Sequence, residues 1–573
     1  MNIKRKIDTL LAKSNGMQLV WLLGVSAICL IIAFFIAYFV FDDGKLVWQN
    51  VVAVFLDPGC FGGPGDHDIF RLIIALLSVF LFSALLVSVF TNLFDNIRDA
   101  AQSGERRYKL SGHVLILGAG KRLAGILAAL NNSGKTAVVM SKEKPDVELP
   151  FIFYKGQRDS YKDLMTLCAD MADMIYIIGE DDEAEHDDKS LVAWNYLTQI
   201  CANATKNILC FLTLDSFNAT EVFQYSKIKP KSNLLLVDTV NEYEYMAEQL
   251  LINENASFLP VIKSGSNKQA NIIIVGTGPL AQAIAYTAAH LCHYHNFTEK
   301  GIKTQITFIG GDMQRWKRHL ETSRPTLFKM SKSCFLSSEG AKCDFLPEGD
   351  DFLDIEWQFV ESEANGYVAR KYMEEVAGET TRVIICEKSA TQAQTIALHL
   401  PKLVYKTCKI AVYMPQNSSV LDRANVTGMY GTIIQFGQID EAASDPLFLL
   451  RSQRGKRVNF IYHKKYADMP CGSADEAWHK ISEADKYSSI YCGNAMVLRK
   501  LCYDFSGDKT PIYEAEHRRW LMSELLMGFE PGEKTDKKRF IHADIVPYDK
   551  LTETEQIKDA DLIDQIDYIL HGD

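Results

Sequence analysis

Glycine and proline are scarce, 35 and 16 in 573 residues, which excludes a collagen-like or broadly disordered chain. A basic excess is missing as well. Lys and Arg number 61 against 72 Asp and Glu, for a net charge of −11 and a pI near 5.7. A nucleic-acid binder carries the opposite footprint. The 13 cysteines have no regular spacing, so they read as free thiols in a reducing compartment and not as a disulfide framework. No Cys-x-x-Cys pair completes a metal site around His290, Cys292, His293 and His295, which read as ordinary residues at a helix end. No nucleophile–base pair stands out, so an enzyme is not expected. At about 150 residues per domain, the length predicts about four units.

What is present is concentrated at the N-terminus. Met17 to Phe41 and Leu72 to Phe94 carry no charged residue, and each run exceeds the ~20 residues a helix needs to cross a bilayer. The first is too long for a signal-peptide core, and Ala37-Tyr38-Phe39 offers no cleavage site. Lys4, Arg5, Lys6 and Lys13 precede the first run; Arg98, Arg106, Arg107 and Lys109 follow the second. The positive-inside rule then places both termini in the cytoplasm and the chain in the cell (inner) membrane, with lipid as a partner.

The loop between the runs holds an apolar segment too short to span, Leu46 to Leu56, then Asp57-Pro58-Gly59-Cys60 and a glycine-rich acidic stretch. A half-span ending in a turn with an acid is what a re-entrant pore loop requires, since irregular backbone survives at membrane depth only where buried or lining water. An external loop lying along the membrane surface is the alternative. In the second run Ser83, Val87/Ser88 and Thr91 recur at helical spacing, a small, polar face that suits either a water-filled cavity or helix packing.

The Thr-Val-Gly-Tyr-Gly filter of potassium channels is absent; Leu56-Asp57-Pro58-Gly59 stands in its place. Two spans, this loop and the continuation through Phe94-Asp-Asn-Ile-Arg-Asp and Gly112-His-Val-Leu-Ile-Leu-Gly118 resemble the CASTOR and POLLUX channels and their bacterial relatives over residues 20 to 260. That resemblance implies a filter of Ala-Asp-Ser-Gly type at residues 56–59; Pro58 departs from the family serine.

Beyond the spans, apolar strands alternate with helical stretches. Strands near 137–140, 151–154, 174–178, 208–212 and 234–237 follow Gly112–Gly120. The pattern restarts at Asn271-Ile-Ile-Ile-Val-Gly-Thr-Gly-Pro-Leu-Ala281, with strands near 306–309, 355–360, 383–386, 410–413 and 432–436. A repeated βαβ rhythm predicts mostly parallel sheets with helices on both faces. Gly156-Gln-Arg-Asp159 resembles the Gly-Asp turn of RCK (TrkA-N-type) domains. The first glycine turn, Gly118-Ala-Gly120-Lys-Arg-Leu123, has leucine where the dinucleotide fingerprint needs a small residue. The second, Gly276, Gly278 and Ala281, fits the fingerprint, with Asp312 as the ribose acid more than 30 residues on. An adenine nucleotide is therefore a candidate regulatory ligand there. Glu180, Asp181, Asp182 and Glu183 open a run of seven carboxylates in nine positions. Such a run is either a regulatory calcium loop or a solvated acidic helix start.

After about residue 455 the βαβ rhythm stops. Glu516-His517-Arg518-Arg519-Trp520, ending at Gly528-Phe529, and then Ile541-His-Ala-Asp-Ile-Val-Pro-Tyr548 resemble the ryanodine-receptor (RyR) repeat. Arg518 and Arg519 can grip phosphate and Trp520 can stack on a base, with Tyr548 nearby; Trp520 can equally pack beneath Val546–Tyr548.

The expected organisation is a cytoplasmic N-terminus (1–16), a first transmembrane helix (17–41), pore helix and filter loop (42–68), a second transmembrane helix (69–96) and a linker (97–110). Two RCK-like Rossmann domains (111–265 and 266–455) and a mostly helical RyR-like domain (456–573) follow. The expected function is a ligand-gated homotetrameric channel for potassium and/or calcium, since two spans cannot enclose a pore. The rival is a membrane-anchored, non-conducting, nucleotide-sensing subunit of a potassium transporter.

Overall fold

The computed structural model describes residues 15–57, 68–181, 183–225, 233–252, 258–344, 351–438, 448–467 and 471–572. Within them the side chains of 15–23, 68, 82, 84–86, 88, 89, 92 and 93 are not described. The chain forms two compact units: residues 1–107 with 153–155, and residues 108–152 with 156–573.

The first unit holds three helices, Asn15–Val40, Gly44–Leu56 and Asp68–Gln102. Asp42, Asp43 and Gly44 break the first helix from the second. A Cβ at Gly44 would fall 2.5 Å from the Ala37 carbonyl oxygen, so only glycine lets the short helix start against the long one. Ala33, Ala37, Val47, Val51, Phe55, Ile74 and Ala75 bury one another where the short helix packs on both long ones. The buried Ser78 hydroxyl donates to the Phe55 carbonyl at 2.5 Å. Among the residues described in full, no helix is long and apolar enough to cross a membrane. The spans expected at 17–41 and 69–96 rest on the sequence.

The chain forms two larger sheets whose strands, residues 153–155 excepted, count with the second unit. Strands β1 (Val114–Leu117), β2 (Ala137–Ser141), β3 (Ile152–Lys155), β4 (Met174–Ile177), β5 (Ile208–Leu214) and β6 (Leu235–Asn241) run in the order β3-β2-β1-β4-β5-β6. The pairs β2·β1, β1·β4, β4·β5 and β5·β6 are parallel. This is the doubly wound dinucleotide-fold order. The second sheet comprises β7 (Asn271–Val275), β8 (Thr304–Gly310), β9 (Ser333–Ser337), β10 (Gly340–Asp344), β11 (Ile355–Glu361), β12 (Thr381–Ile385), β13 (Lys409–Tyr413) and β14 (Ile433–Phe436). Its order, β10-β9-β11-β8-β7-β12-β13-β14, is the same pattern extended at one edge by the antiparallel hairpin β9–β10. Continuous apolar strands such as Val114–Leu117 and Asn271–Val275 are buried throughout, as parallel strands covered on both faces must be.

Two expectations change. Cys334 and Cys343, facing each other across the hairpin, form a disulfide, so the cysteines are not all free thiols. The sequence hid the pair because a nine-residue separation in an edge hairpin has no framework spacing. The C-terminal helices Gln453–Tyr466, Glu483–Cys502, Thr510–Leu526 and Glu553–Asp564 also do not form a core of their own. Met496, Leu521, Leu525 and Ile563 belong to one apolar core with Leu250, Ile284, Tyr286 and Phe308. The change near residue 456 is one of secondary structure, not a break in packing. Trp478 Nε1 donates to Asp238 Oδ1 at 3.0 Å and Lys486 Nζ to the Val237 carbonyl at 2.6 Å, tying these helices to β6 as well.

Candidate functional site

Four places carry the residues singled out by the sequence. In the first unit, the short helix ends at Leu56, which is 67% exposed, and Asp57 continues in extended conformation with its N–H donating to Ala53 at 2.8 Å. Pro58 and Gly59 lie outside the described residues. Ser83, Val87 and Thr91 are exposed on one face of the helix Asp68–Gln102, with Val87 65% exposed; the Ser88 side chain is outside the description.

The first glycine turn, after β1, is filled by this chain's own acids. Glu180 Oε2 accepts from the Ala119 N–H at 3.1 Å, and Asp181 Oδ1 from the Lys121 N–H at 2.8 Å. Those amides would otherwise face a phosphate. A Cβ at Gly118 would lie 2.0 Å from the Gly179 carbonyl oxygen, so the glycine serves close strand–loop approach. The remaining cavity, bordered by Gly118, Gly156, Arg158 and Glu180, is about 10 Å³, room for about one water. Glu183 turns inward to Arg158 at 2.6 Å and Lys189 at 2.9 Å. Although burial opposes its charge, these two partners hold its carboxyl down at about 2. Burial instead raises Glu180 above the ordinary carboxylate range. Glu180, Asp181 and Glu183 are thus spent on backbone amides and ion pairs, and among the described residues no cluster of metal-ligating side chains converges. These three, read in the sequence as either a regulatory calcium loop or a solvated helix start, are engaged by this chain's own donors; Asp182 lies outside the described residues. The reason is tertiary: the run sits at the end of β4, beside the glycine turn after β1, and its carboxylates face unpaired N–H groups.

The second glycine turn is different. Gly276 leaves β7, and Gly278 caps the helix Pro279–Leu291 with open space where a Cβ would point. Ala281 is buried in the first turn of that helix. Asp312 is exposed just past the end of β8, before the helix Met313–Ser323. This is the position of the ribose acid in the doubly wound fold. Its long sequence separation from the turn is taken up by the extra helix His295–Lys300. Glu387 also borders the turn, 3.5 Å from a Cβ built on Gly276. Burial, with Glu363 adding, raises its carboxyl above the usual range.

The fourth place is the C-terminal set of helices, which encloses a cavity of about 740 Å³, within the range of small-molecule sites. The helix Thr510–Leu526 forms one wall. Glu516 is fully buried and ion-paired to both Arg499 and Arg519, the latter at 2.8 Å. Arg519 also donates to Ser523 Oγ at 2.8 Å, which bonds His290 Nδ1 at 3.0 Å, and the His290 ring stacks on Tyr491 at 3.8 Å. Arg518 points away from the cavity, donating to Asp354 Oδ2 at 3.0 Å, while Asp354 Oδ1 meets His293 Nδ1 at 2.8 Å. Breaking such a buried pair on one side costs about 3–5 kcal/mol. The arginines expected to grip a ligand are therefore structural; charge burial demands partners that a helical reading of the sequence does not reveal.

Trp520 does line the cavity, its ring 4.8 Å from His542 and 5.7 Å from His517. His517 Nε2 lies 2.8 Å from the Val546 carbonyl, which only accepts, so this nitrogen carries the proton. Burial lowers the His517 pKa to about 4, leaving a neutral ring. Tyr548 touches His517 at 5.9 Å between ring centres. The sequence reading missed Glu524 and Asp559, both in the lining. Glu524 follows Trp520 by four residues, hence on the same helix face, and that spacing was the available signal.

No family model matches the chain, and no curated protein matches it. Among solved structures it is similar to GsuK bound to ADP (12% identity, 74% of this chain and 96% of that chain, TM-score 0.36). It is also similar to the GsuK RCK domain (11%, 58% and 76%, TM-score 0.32). A third is the human SLO3 gating ring (10%, 59% and 83%, TM-score 0.35). The tandem Rossmann-like pair is assigned from the strand order of the two sheets, independently of these likenesses.

Proposed function

We propose that the chain is the subunit of a ligand-gated, homotetrameric cation channel for potassium and/or calcium, with both termini cytoplasmic. One observation carries the reading: a half-length helix, Gly44–Leu56, seated on two long helices and ending in an exposed, extended Asp57. Four such helices around an axis would aim four Asp57 carboxylates at one cation path, lined further along by Ser83, Val87, Ser88 and Thr91. The exposed apolar side chains of Ile28, Ile31, Phe35, Phe39 and Phe80 suit lipid or neighbouring subunits better than water. The two Rossmann-like sheets and the C-terminal helices supply the ligand-responsive part. A ligand that binds one arrangement of the ring more tightly shifts the population toward it. The second glycine turn, with Gly276, Gly278, Ala281 and Asp312, is the better adenine-nucleotide candidate, since the first is filled by Glu180 and Asp181. No step in this function requires bond-making chemistry.

Planar-bilayer recording of the purified protein tests the reading. Asp57→Asn should cut cation conductance and weaken divalent block. Unchanged conductance and selectivity would refute the pore assignment, and absence of any conductance in the unaltered protein would favour the non-conducting regulatory subunit.

A further inference from the structure

The lining of the C-terminal cavity carries six carboxylates against three Lys and Arg side chains. Glu524 is 7% exposed and lines the cavity, yet its carboxyl makes no hydrogen bond or ion pair among the described residues. Asp559, also in the lining and partly buried, has His517 Nδ1 at 3.7 Å and lies within the electrostatic reach of Glu516, Arg519 and Arg499. The cations of the lining are already engaged. Arg519 is bound by Glu516 and Ser523, Lys558 by both oxygens of Glu555 at 2.6 Å, and Lys537 by Asp485 at 3.4 Å. A phosphate entering would meet the buried Glu524, the partly buried Asp559 and no free guanidinium.

We propose that this cavity recognises a ligand with a planar pair of adjacent N–H donors, which lies against Trp520 and presents its donors to Glu524 and Asp559. A guanidinium group and the donor edge of a guanine base share that chemistry. The inference rests on the reading of this region as ligand-responsive, but it concerns binding and stands or falls without conduction. Three features agree. A buried carboxyl without a partner, as Glu524 is among the described residues, is costly unless something satisfies it. A ring or delocalised cation gains further from the Trp520 face. Burial also raises both acids above the ordinary carboxylate range, Glu524 to about 7, so a cationic donor pair that holds them ionised relieves the cost of burying their charge.

Calorimetry on the full-length, detergent-solubilised protein provides the test, with agmatine as the guanidinium probe and guanosine as the base probe. Inosine, which lacks the amino donor, and inorganic phosphate are the controls. At least one probe should bind, and at least tenfold more tightly than inosine and phosphate. Binding by agmatine alone identifies a guanidinium ligand, and binding by guanosine alone identifies a base. Glu524→Gln and, independently, Asp559→Asn should each weaken the bound probe at least tenfold; the second variant serves if the first does not fold. No binding of either probe at millimolar concentration overturns the proposal. So does binding that survives both substitutions, and so does a preference for phosphate.

Discussion

Replacing Glu524 by glutamine should stabilise the second unit in a strongly pH-dependent way. The carboxyl is 7% exposed and makes no hydrogen bond or ion pair among the described residues, and burial is the main cause that raises its pKa from 4.5 to about 7 in the folded state. Because the folded pKa is the higher one, the native state holds the proton longer than the unfolded chain. Stability from this group is complete below about pH 4.5 and is lost as pH rises through about 7. A difference of roughly 2.5 units at about 1.36 kcal/mol each corresponds to a loss of about 3 kcal/mol by pH 8. Glutamine has nearly the same shape and no charge to desolvate. The variant should therefore match the parent near pH 4 and exceed it by about 2–3 kcal/mol at pH 8. Hydrogen exchange of peptides from the helix Thr510–Leu526, read as variant against parent on the full chain, isolates this group from other buried acids such as Glu244. A protection difference that stays flat between pH 5 and 8, or that favours the parent at high pH, would refute the reasoning.

Arg499→Met leaves Glu516 with Arg519 as its one remaining ion partner and should cost about 3–5 kcal/mol, seen as lost exchange protection in the helix Glu483–Cys502. Gly118→Ala drives a Cβ into the Gly179 carbonyl and should impair folding. Gly278→Ala meets open space but must hold a backbone at φ 114° and ψ −174°, a region nearly confined to glycine, and should cost about 1–3 kcal/mol; melting temperatures of the two variants compare them directly. Truncation after Asp508 removes Leu521, Leu525 and Ile563 from the shared core. It should yield an aggregating, protease-sensitive protein in place of a trimmed channel; a truncated chain with native protease resistance would contradict the continuous core.

The βαβ rhythm, the placement of most strands and the two glycine turns were legible in the sequence, because buried parallel strands are short apolar runs and glycine marks tight turns. The short helix ending at Leu56, before Asp57, was legible for the same kind of reason: its length and its acid are local. Fates of charged residues were not. Whether Glu180 and Asp181 bind an ion or cap backbone amides depends on the turn after β1, some 60 residues away. Arg518 and Arg519 are adjacent in sequence, yet one faces Asp354 and the other Glu516, a division set by helix packing alone. Local sequence determines periodicity, since that is a property of neighbouring residues. Partnership of a buried charge is a property of whatever the fold brings beside it, and only the tertiary structure decided that Glu524 would be left without one among the described residues.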